Sequence, residues 1–299
     1  MPIRTRFTTW RPLATAVVAV LMAAFMSPVA AHAAPQKTRE STPVYSYADA
    51  IREAVWVDTG LDGDGDGKTD RVAADIVRPR EPARQGRKIT VIMDASPYYS
   101  CCGRGNESQR KTYDAAGHVV QMPLFYDNYF VPRGYAFVGV DLAGTNRSDG
   151  CVDVGGRSDI QSAKAVVDWL NGRAKAYTTR TGSTRAKATW TNGRTGMIGK
   201  SWDGTIANGV AATGVKGLRT VVPISAISSW YDYYFAKGAP LYDSGPDWLS
   251  DYVESTDARA KCAAVQQKIV DGAPRTGDRT PFWTERDYVK DASKVRASV

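Results

Sequence analysis

Two short apolar runs constrain this chain more than any other feature. Lys88-Ile89-Thr90-Val91-Ile92-Met93-Asp94 and Tyr135-Ala136-Phe137-Val138-Gly139-Val140-Asp141 are rich in β-branched and aromatic residues, end in Asp, and run into loops of Gly, Ser and Pro. Strands buried on both faces of a parallel sheet read as continuous apolar runs, and they deliver their loops to one edge. Ile51 to Val57 opens the fold, and Val72, Ala74 and Ile76 alternate as a strand does. Ile160, Ala163, Val166, Val167 and Leu170 recur at helical spacing and stop at Asn171-Gly172, with Ser158 and Gln161 in capping-box positions. After an Asn192-Gly193 turn, Thr195 to Gly199 predicts a small-residue strand, Trp202 to Thr213 a helix, and Leu218 to Ser225 the next strand. Strand and helix alternate, which predicts an α/β sheet covered on both faces.

The N-terminus reads differently. Arg4, Arg6 and Arg11 precede an apolar stretch from Leu13 to Met26, and Ala31 and Ala33 form an A-x-A cleavage signature. This predicts a secretory signal peptide over residues 1–33. The stretch is short of the roughly 20 residues that span a bilayer, so the mature chain is expected outside the cell with no membrane segment. The net charge of +8 arises from scattered residues, with no run of five Lys/Arg, and does not predict nucleic-acid binding.

Export permits disulfides among Cys101, Cys102, Cys151 and Cys262, and the absence of a C-x-x-C pair argues against zinc. Of the three pairings, one that joins adjacent Cys101 and Cys102 ranks last. Cys151 and the Cys101/Cys102 loop follow strands at one sheet edge, which predicts a bridge between them.

Residues 34–44 read as a leader, 45–228 as the core and 229–290 as a cap. The cap holds Trp230, Tyr231, Tyr233, Tyr234, Phe235, Tyr242, Trp248 and Tyr252. Such aromatic density suits a lid over a pocket, and it suits ordinary core equally. In Asp62-Gly63-Asp64-Gly65-Asp66-Gly67-Lys68-Thr69-Asp70, the carboxylates Asp62, Asp64, Asp66 and Asp70 fall at calcium-loop positions. Ala73 stands where the bidentate Glu belongs, and Asp-Gly repeats also make plain turns. Both readings stay open.

The strongest chemical signal is Gly199-Lys200-Ser201-Trp202-Asp203-Gly204 between a strand and a helix. A nucleophilic serine needs a sharp turn, small neighbours, and a following N–H turned toward the oxyanion. The usual pattern is G-x-S-x-G; here Asp203 takes the second glycine's place and Gly204 follows.

With these residues in view, the chain resembles the Xaa-Pro dipeptidyl-peptidases, α/β-hydrolase serine peptidases related to the cocaine-esterase-like hydrolases. The likeness is carried by Gly199 to Gly204, by Ser96-Pro97-Tyr98-Tyr99 and Arg133 to Asp141 before it, and by Thr213 to Leu218, Ile227 to Tyr234 and Phe282 to Tyr288 after it. The resemblance implies an α/β-hydrolase fold, a mostly parallel sheet with helices on both faces and a partly helical cap. It implies Ser201 as nucleophile, with the Tyr98 hydroxyl and the Trp202 N–H as oxyanion donors. It implies an acidic residue of the cap as holder of the substrate ammonium, from among Asp232, Asp243, Asp247 and Asp251, of which Asp247 falls closest by spacing; Trp230 and Tyr99 are also expected at the substrate, a peptide with proline second. No cofactor is required.

Such a triad also needs an Asp and then a His after the serine. The two histidines are His32 and His118, both before Ser201. Residues 291–299 resemble the entry to the strand that precedes the family's triad Asp, so the resemblance implies a truncated chain lacking the C-terminal part of the fold. His118 is expected to be an ordinary loop histidine. A related esterase or acylase, and an inactive secreted binding module, are the competing readings.

Overall fold

The computed structural model describes residues 41–299; the expected signal sequence and its cleavage site lie outside the described residues. The strands are β1 (Ile51–Asp58), β2 (Arg71–Arg78), β3 (Ile89–Ser96), β4 (Thr112–Tyr113), β5 (Val119–Gln121), β6 (Ala136–Asp141), β7 (Ala176–Tyr177), β8 (Arg185–Ala186), β9 (Thr191–Lys200) and β10 (Leu218–Ile224), before a small hairpin of β11 (Phe235–Ala236) and β12 (Ala239–Pro240). Eight of them form one sheet in the order β10-β9-β3-β6-β2-β1-β7-β8. The two apolar runs are neighbours: β3 and β6 pair in parallel from Val91 opposite Ala136 to Ser96 opposite Asp141. Strands β9 and β10 extend this parallel half. From β6 outward the pairing is antiparallel, because β1 and β2 are joined by a short connection rather than a crossover.

Alternation along the strands sorts two cores. Val91, Met93, Val138 and Val140 face the principal core, while Val77, Phe137 and the half-buried Ile92 face the other side. Among the helices, α1 (Arg80–Arg84) follows β2 and α2 (Tyr126–Phe130) covers the second core. Helices α3 (Arg157–Leu170) and α4 (Trp202–Ala212) pack on each other at the first. Their approach is close enough that a Cβ at Gly209 would overlap Ile160.

Three local expectations change. The capping box is absent: Gly156 is the N-cap of α3, and Asp153 accepts from the N–H groups of Ser158 (2.7 Å) and Asp159 (3.1 Å). Gln161 instead donates to the Thr59 carbonyl, 2.8 Å away. Asn192-Gly193 lies inside β9, where Gly193 has φ +76° and the pairing with β3 shifts register. The expected bridge from the Cys101/Cys102 loop to Cys151 is not formed.

Cys151 pairs with Cys262 across 111 residues, their Cα atoms 5.6 Å apart, and Cys101 pairs with Cys102. The reason is placement. Cys262, just before the helix that starts at Ala263, packs against Cys151 within a small buried cluster. The Cys101/Cys102 loop is meanwhile held locally, both cysteine N–H groups donating to the Tyr98 carbonyl at 3.1 and 3.2 Å. Closing the long loop contributes roughly 4–5 kcal/mol in the chain-entropy account.

Residues 229–290 hold five helices, α5 (Trp230–Tyr234), α6 (Pro246–Val253), α7 (Thr256–Arg259), α8 (Ala263–Gly272) and α9 (Pro281–Glu285). Both readings of the aromatic segment apply to parts of it. Trp230, Tyr234, Phe235 and Trp283 are buried in the principal core, whereas Tyr233, Tyr242, Trp248 and Tyr252 are exposed. At the far end Ser298 bridges Thr220 in parallel on the outer side of β10. No helix among the described residues is long and apolar enough to cross a membrane.

Candidate active site

Ser201 stands between the end of β9 and the start of α4, exposed, with φ +62° and ψ −121°. A left-handed φ is uncommon for a residue with a Cβ and must be held by its surroundings. Ser201 N–H donates to the Ile224 carbonyl at 2.9 Å, and the Ser201 carbonyl accepts from Thr205 Oγ1 at 2.8 Å. The late glycine is explained by packing. A Cβ at Gly204 would lie 2.7 Å from the Gly199 oxygen and 3.1 Å from the Ile224 backbone; one at Gly199 would lie 2.6 Å from the Asp203 backbone. The turn closes glycine on glycine, and Asp203 can occupy the position between because its side chain points into the protein, where it is 1% exposed.

Tyr98 follows β3 at the same sheet edge, its N–H bonded to Ser96 Oγ at 3.1 Å and its ring edge-on to Trp202 at 6.2 Å. Its hydroxyl lies against the Ser201 hydroxyl and the Trp202 N–H. Burial pushes the phenol up, and the neighbouring Asp203 adds to this against the opposing pull of Ser201 and Trp202. Tyr98 is therefore a neutral O–H donor at ordinary pH, and a phenol O–H and a backbone N–H stand side by side at the serine. This arrangement can stabilise negative charge that develops on a substrate oxygen.

Other expected residues separate. Trp230 is 1% exposed, 5.6 Å from the Trp202 ring, and donates to the Tyr288 hydroxyl at 3.3 Å. Tyr99 is 1% exposed, donating to Asp94 Oδ2 at 2.9 Å. Both support the site from below and present no surface to a ligand. Asp247 is half-buried in the first turn of α6, near Tyr234. His118 lies in the β4–β5 hairpin turn, exposed, 3.6 Å from Asp114. No hydrogen bond or ion pair joins it to Ser201.

Sequence reasoning missed Asp159, which fixes the elbow's tryptophan: its Oδ2 accepts from Trp202 Nε1 at 2.9 Å and from the Gly155 N–H at 2.7 Å. Nothing local marks it, because it looks like an ordinary helix-start carboxylate. Asp203 carried a signal that was available, an acidic residue in a position that the elbow pattern gives to glycine.

A cleft of about 850 Å³ lies away from Ser201 and is lined by Asp64, Asp70, Asp149, Arg180, Asp257 and Lys261 among others. It adjoins the Asp-rich turn. One carboxylate oxygen each from Asp62, Asp64 and Asp70 falls within 4.8 Å of the others, a hard donor set that could hold a divalent cation. Asp66 stands outside this group and accepts from the Lys68 N–H at 2.9 Å. Turn bonds coexist with the cluster, Gly63 and Gly67 N–H groups donating to Asp70 (2.8 Å) and Asp62 (3.0 Å). Burial pushes the Asp70 carboxyl up to about 7, with the charges of Asp64, Asp149 and Asp62 adding to it.

Comparison with known proteins places these residues in context. The family model for X-Pro dipeptidyl-peptidase (S15 family) matches residues 64–299. A Streptomyces avermitilis relative carrying the Xaa-Pro dipeptidyl-peptidase name is 84% identical over 296 residues, covering 99% of this chain and 43% of the relative. The Xaa-Pro dipeptidyl-peptidase of Streptococcus sanguinis is 33% identical, over 87% of this chain and 40% of its own length. The chain thus spans under half the length of these relatives. A CocE/NonD family hydrolase from Staphylococcus aureus matches in fold with a TM-score of 0.55 at 17% identity, over 83% of this chain and 40% of that one.

Proposed function

The chain belongs to the X-Pro dipeptidyl-peptidase (S15) family, and from that premise we propose that it is the nucleophile-bearing part of a secreted serine peptidase that releases Xaa-Pro dipeptides. The observation that carries the reading is the convergence of Tyr98 and the Trp202 N–H on a left-handed, exposed Ser201. In the proposed reaction Ser201 Oγ attacks the carbonyl carbon after proline. The carbonyl oxygen gains the charge and is held by Tyr98 and Trp202. The C–N bond then breaks, and the amine leaves with a proton.

The base that moves this proton is assigned to a histidine and carboxylate outside the 299 residues, because no histidine follows Ser201 here. Asp247 is proposed to hold the substrate ammonium, a charge-assisted contact. Export rests on the Arg-led apolar N-terminus and on the two disulfides.

The test uses protein recovered from culture medium, expected to begin at Ala34, supplied with the chain length of its relatives. Xaa-Pro anilides with a free amine should be cut, and N-acetylated ones should lose roughly 10- to 100-fold in kcat/KM, the value of about 1.5–3 kcal/mol for a bond to a charged group. Asp247→Asn should narrow that gap. Equal rates on blocked substrates and simple esters would instead favour the related esterase or acylase. No turnover at all would favour a binding module.

For the Asp-rich turn the proposal is one calcium ion on Asp62, Asp64 and Asp70. Asp70, raised in the folded protein, stabilises it below the usual carboxylate range, and that stability is lost as pH rises toward about 7. Calcium needs the ionised carboxylates, so it should raise the melting temperature most at pH 7–8 and little near pH 4. Asp70→Asn should abolish the calcium effect and flatten the pH slope. Identical melting in calcium and in chelator at pH 8 would rule the ion out.

A further inference from the structure

The loop between β6 and α3 is strained at a place that the proposed chemistry does not touch. Val154 is fully buried with φ +52°, and Gly155 follows with φ +74°. A left-handed φ is an outlier for a β-branched residue and persists only where the surroundings over-determine it. Arg286 and Tyr288, from the end of the cap, hold this turn from outside. Arg286 Nε donates to the Val154 carbonyl at 3.0 Å and Nη2 to the Asp153 carbonyl at 2.6 Å, and the Tyr288 hydroxyl donates to the Gly155 carbonyl at 2.5 Å. A Cβ at Gly155 would lie 2.0 Å from Trp230 Nε1, so only glycine fits.

The turn presents one group inward. The Gly155 N–H donates to Asp159 Oδ2 at 2.7 Å, and the same oxygen accepts from Trp202 Nε1 at 2.9 Å, while Asp159 Oδ1 meets no donor. Trp202 is the first residue of α4, so its backbone N–H has no partner within the helix and can face a substrate oxygen. Its indole is 1% exposed and stands edge-on to Tyr98 at 6.2 Å and to Trp230 at 5.6 Å. The indole carries a single polar hydrogen. Any rotation away from Asp159 would bury that hydrogen unpaired, which is costly. The ring also backs Tyr98, so an indole that turns disturbs both donors at Ser201.

We propose that Asp159 is a positioning residue: its Oδ2 fixes the Trp202 indole, and through that ring it sets the Trp202 backbone N–H and the Tyr98 hydroxyl on Ser201. The strained turn, with Arg286 and Tyr288 behind it, serves the same end by holding the Gly155 N–H on that oxygen. The catalytic meaning rests on the serine-hydrolase reading of the site.

The kinetic test uses a chain of the relatives' length and an Xaa-Pro anilide. Asp159→Ala should lower kcat by roughly 10- to 100-fold, less than the loss of a whole oxyanion donor, with KM held within about twofold. Asp159→Asn should recover most of that loss, because its amide takes the place of Oδ1 and one carbonyl oxygen can accept both bonds. Trp202→Phe keeps a ring but removes the indole N–H, so its kcat should fall similarly, and adding Asp159→Ala to it should cost little more. Losses that multiply, equal losses in the Asn and Ala variants, or a change confined to KM or to the melting temperature overturn the proposal.

A magnetic-resonance measurement on the 299-residue chain needs no turnover. With isotope-labelled tryptophan, the Trp202 indole N–H signal is the one that disappears in Trp202→Phe. It should persist in Asp159→Asn and move upfield in Asp159→Ala, and a signal indifferent to Asp159→Ala overturns the proposal. A wild type of the relatives' length that is inactive on every Xaa-Pro substrate, with the indole signal responding as expected, means that the hydrolase reading has failed and takes the catalytic role with it. An active wild type whose kcat ignores Asp159→Ala overturns the proposal alone.

Discussion

Xaa-Pro anilides are expected to survive incubation with the 299-residue chain, although the residues proposed as nucleophile and oxyanion donors stand together. Ser201 is exposed and strained at φ +62°, and Tyr98 and the Trp202 N–H face it. What is missing is an acceptor for the hydroxyl proton. The one histidine among the described residues, His118, is exposed in a hairpin turn and paired with Asp114 at 3.6 Å. Without a base, Ser201 is an ordinary alcohol. Losing a triad member costs on the order of 10⁴ to 10⁶ in kcat, and the residual rate over water comes from oxyanion stabilisation and binding. Steady-state assays should therefore find a rate at or near the limit of detection. Where a chain of the relatives' length restores turnover, Ser201→Ala should remove it, and Tyr98→Phe should lower kcat by about 10²- to 10³-fold with little change in KM. Substantial turnover by the 299-residue chain that disappears in His118→Ala would place the base on the hairpin and overturn this account.

The parts of this site that were legible in the sequence are those that a short window encodes. The runs ending at Asp94 and Asp141 became adjacent parallel strands, and the Gly199–Gly204 segment became the strand-to-helix turn. Continuous apolar runs and paired glycines leave local marks because burial on two faces and close backbone approach each restrict residue type directly. Disulfide partners, by contrast, depend on where a cap element 111 residues away comes to rest, and Cys262 comes to rest against Cys151. The capping box failed for a related reason. Asp153, five residues upstream of Ser158, was placed by the loop to take the helix N–H groups, and a free Gln161 side chain found the Thr59 carbonyl. Trp230 and Tyr99 were expected at the substrate because aromatic type alone does not distinguish a pocket wall from the layer beneath it. Both lie in that layer.

The β4–β5 hairpin left the weakest mark in the sequence, yet a buried lysine at its start holds together a cluster of buried charges. Lys111, at its start, is fully buried. Its three donors are all used, on Asp75 Oδ2 at 2.9 Å, Asp141 Oδ1 at 2.7 Å and the Gly139 carbonyl at 2.9 Å. The remaining carboxylate oxygens are also met, Asp75 Oδ1 by Arg147 at 2.5 Å and Asp141 Oδ2 by Asn146 at 3.0 Å. Gly139, the break in the β6 run, makes the room: a Cβ there would lie 3.1 Å from Lys111 Cε. Lys111→Met preserves length and apolar bulk but leaves two buried carboxylates short of their shared cation. Breaking such a pair from one side costs about 3–5 kcal/mol, a large share of a domain's net stability. Urea denaturation at pH 8 should show this loss, with a reduced midpoint and an unchanged m-value. The sign of the pH effect separates charge from packing. Burial already raises the Asp141 carboxyl against the pull of Lys111, so removing the lysine raises it further and makes protonation the cheaper state. The deficit of Lys111→Met should therefore shrink as pH falls through the carboxylate range. A deficit that stays constant from pH 8 to pH 4 would mean that the lysine's alkyl chain, and not its charge, holds the hairpin to the sheet.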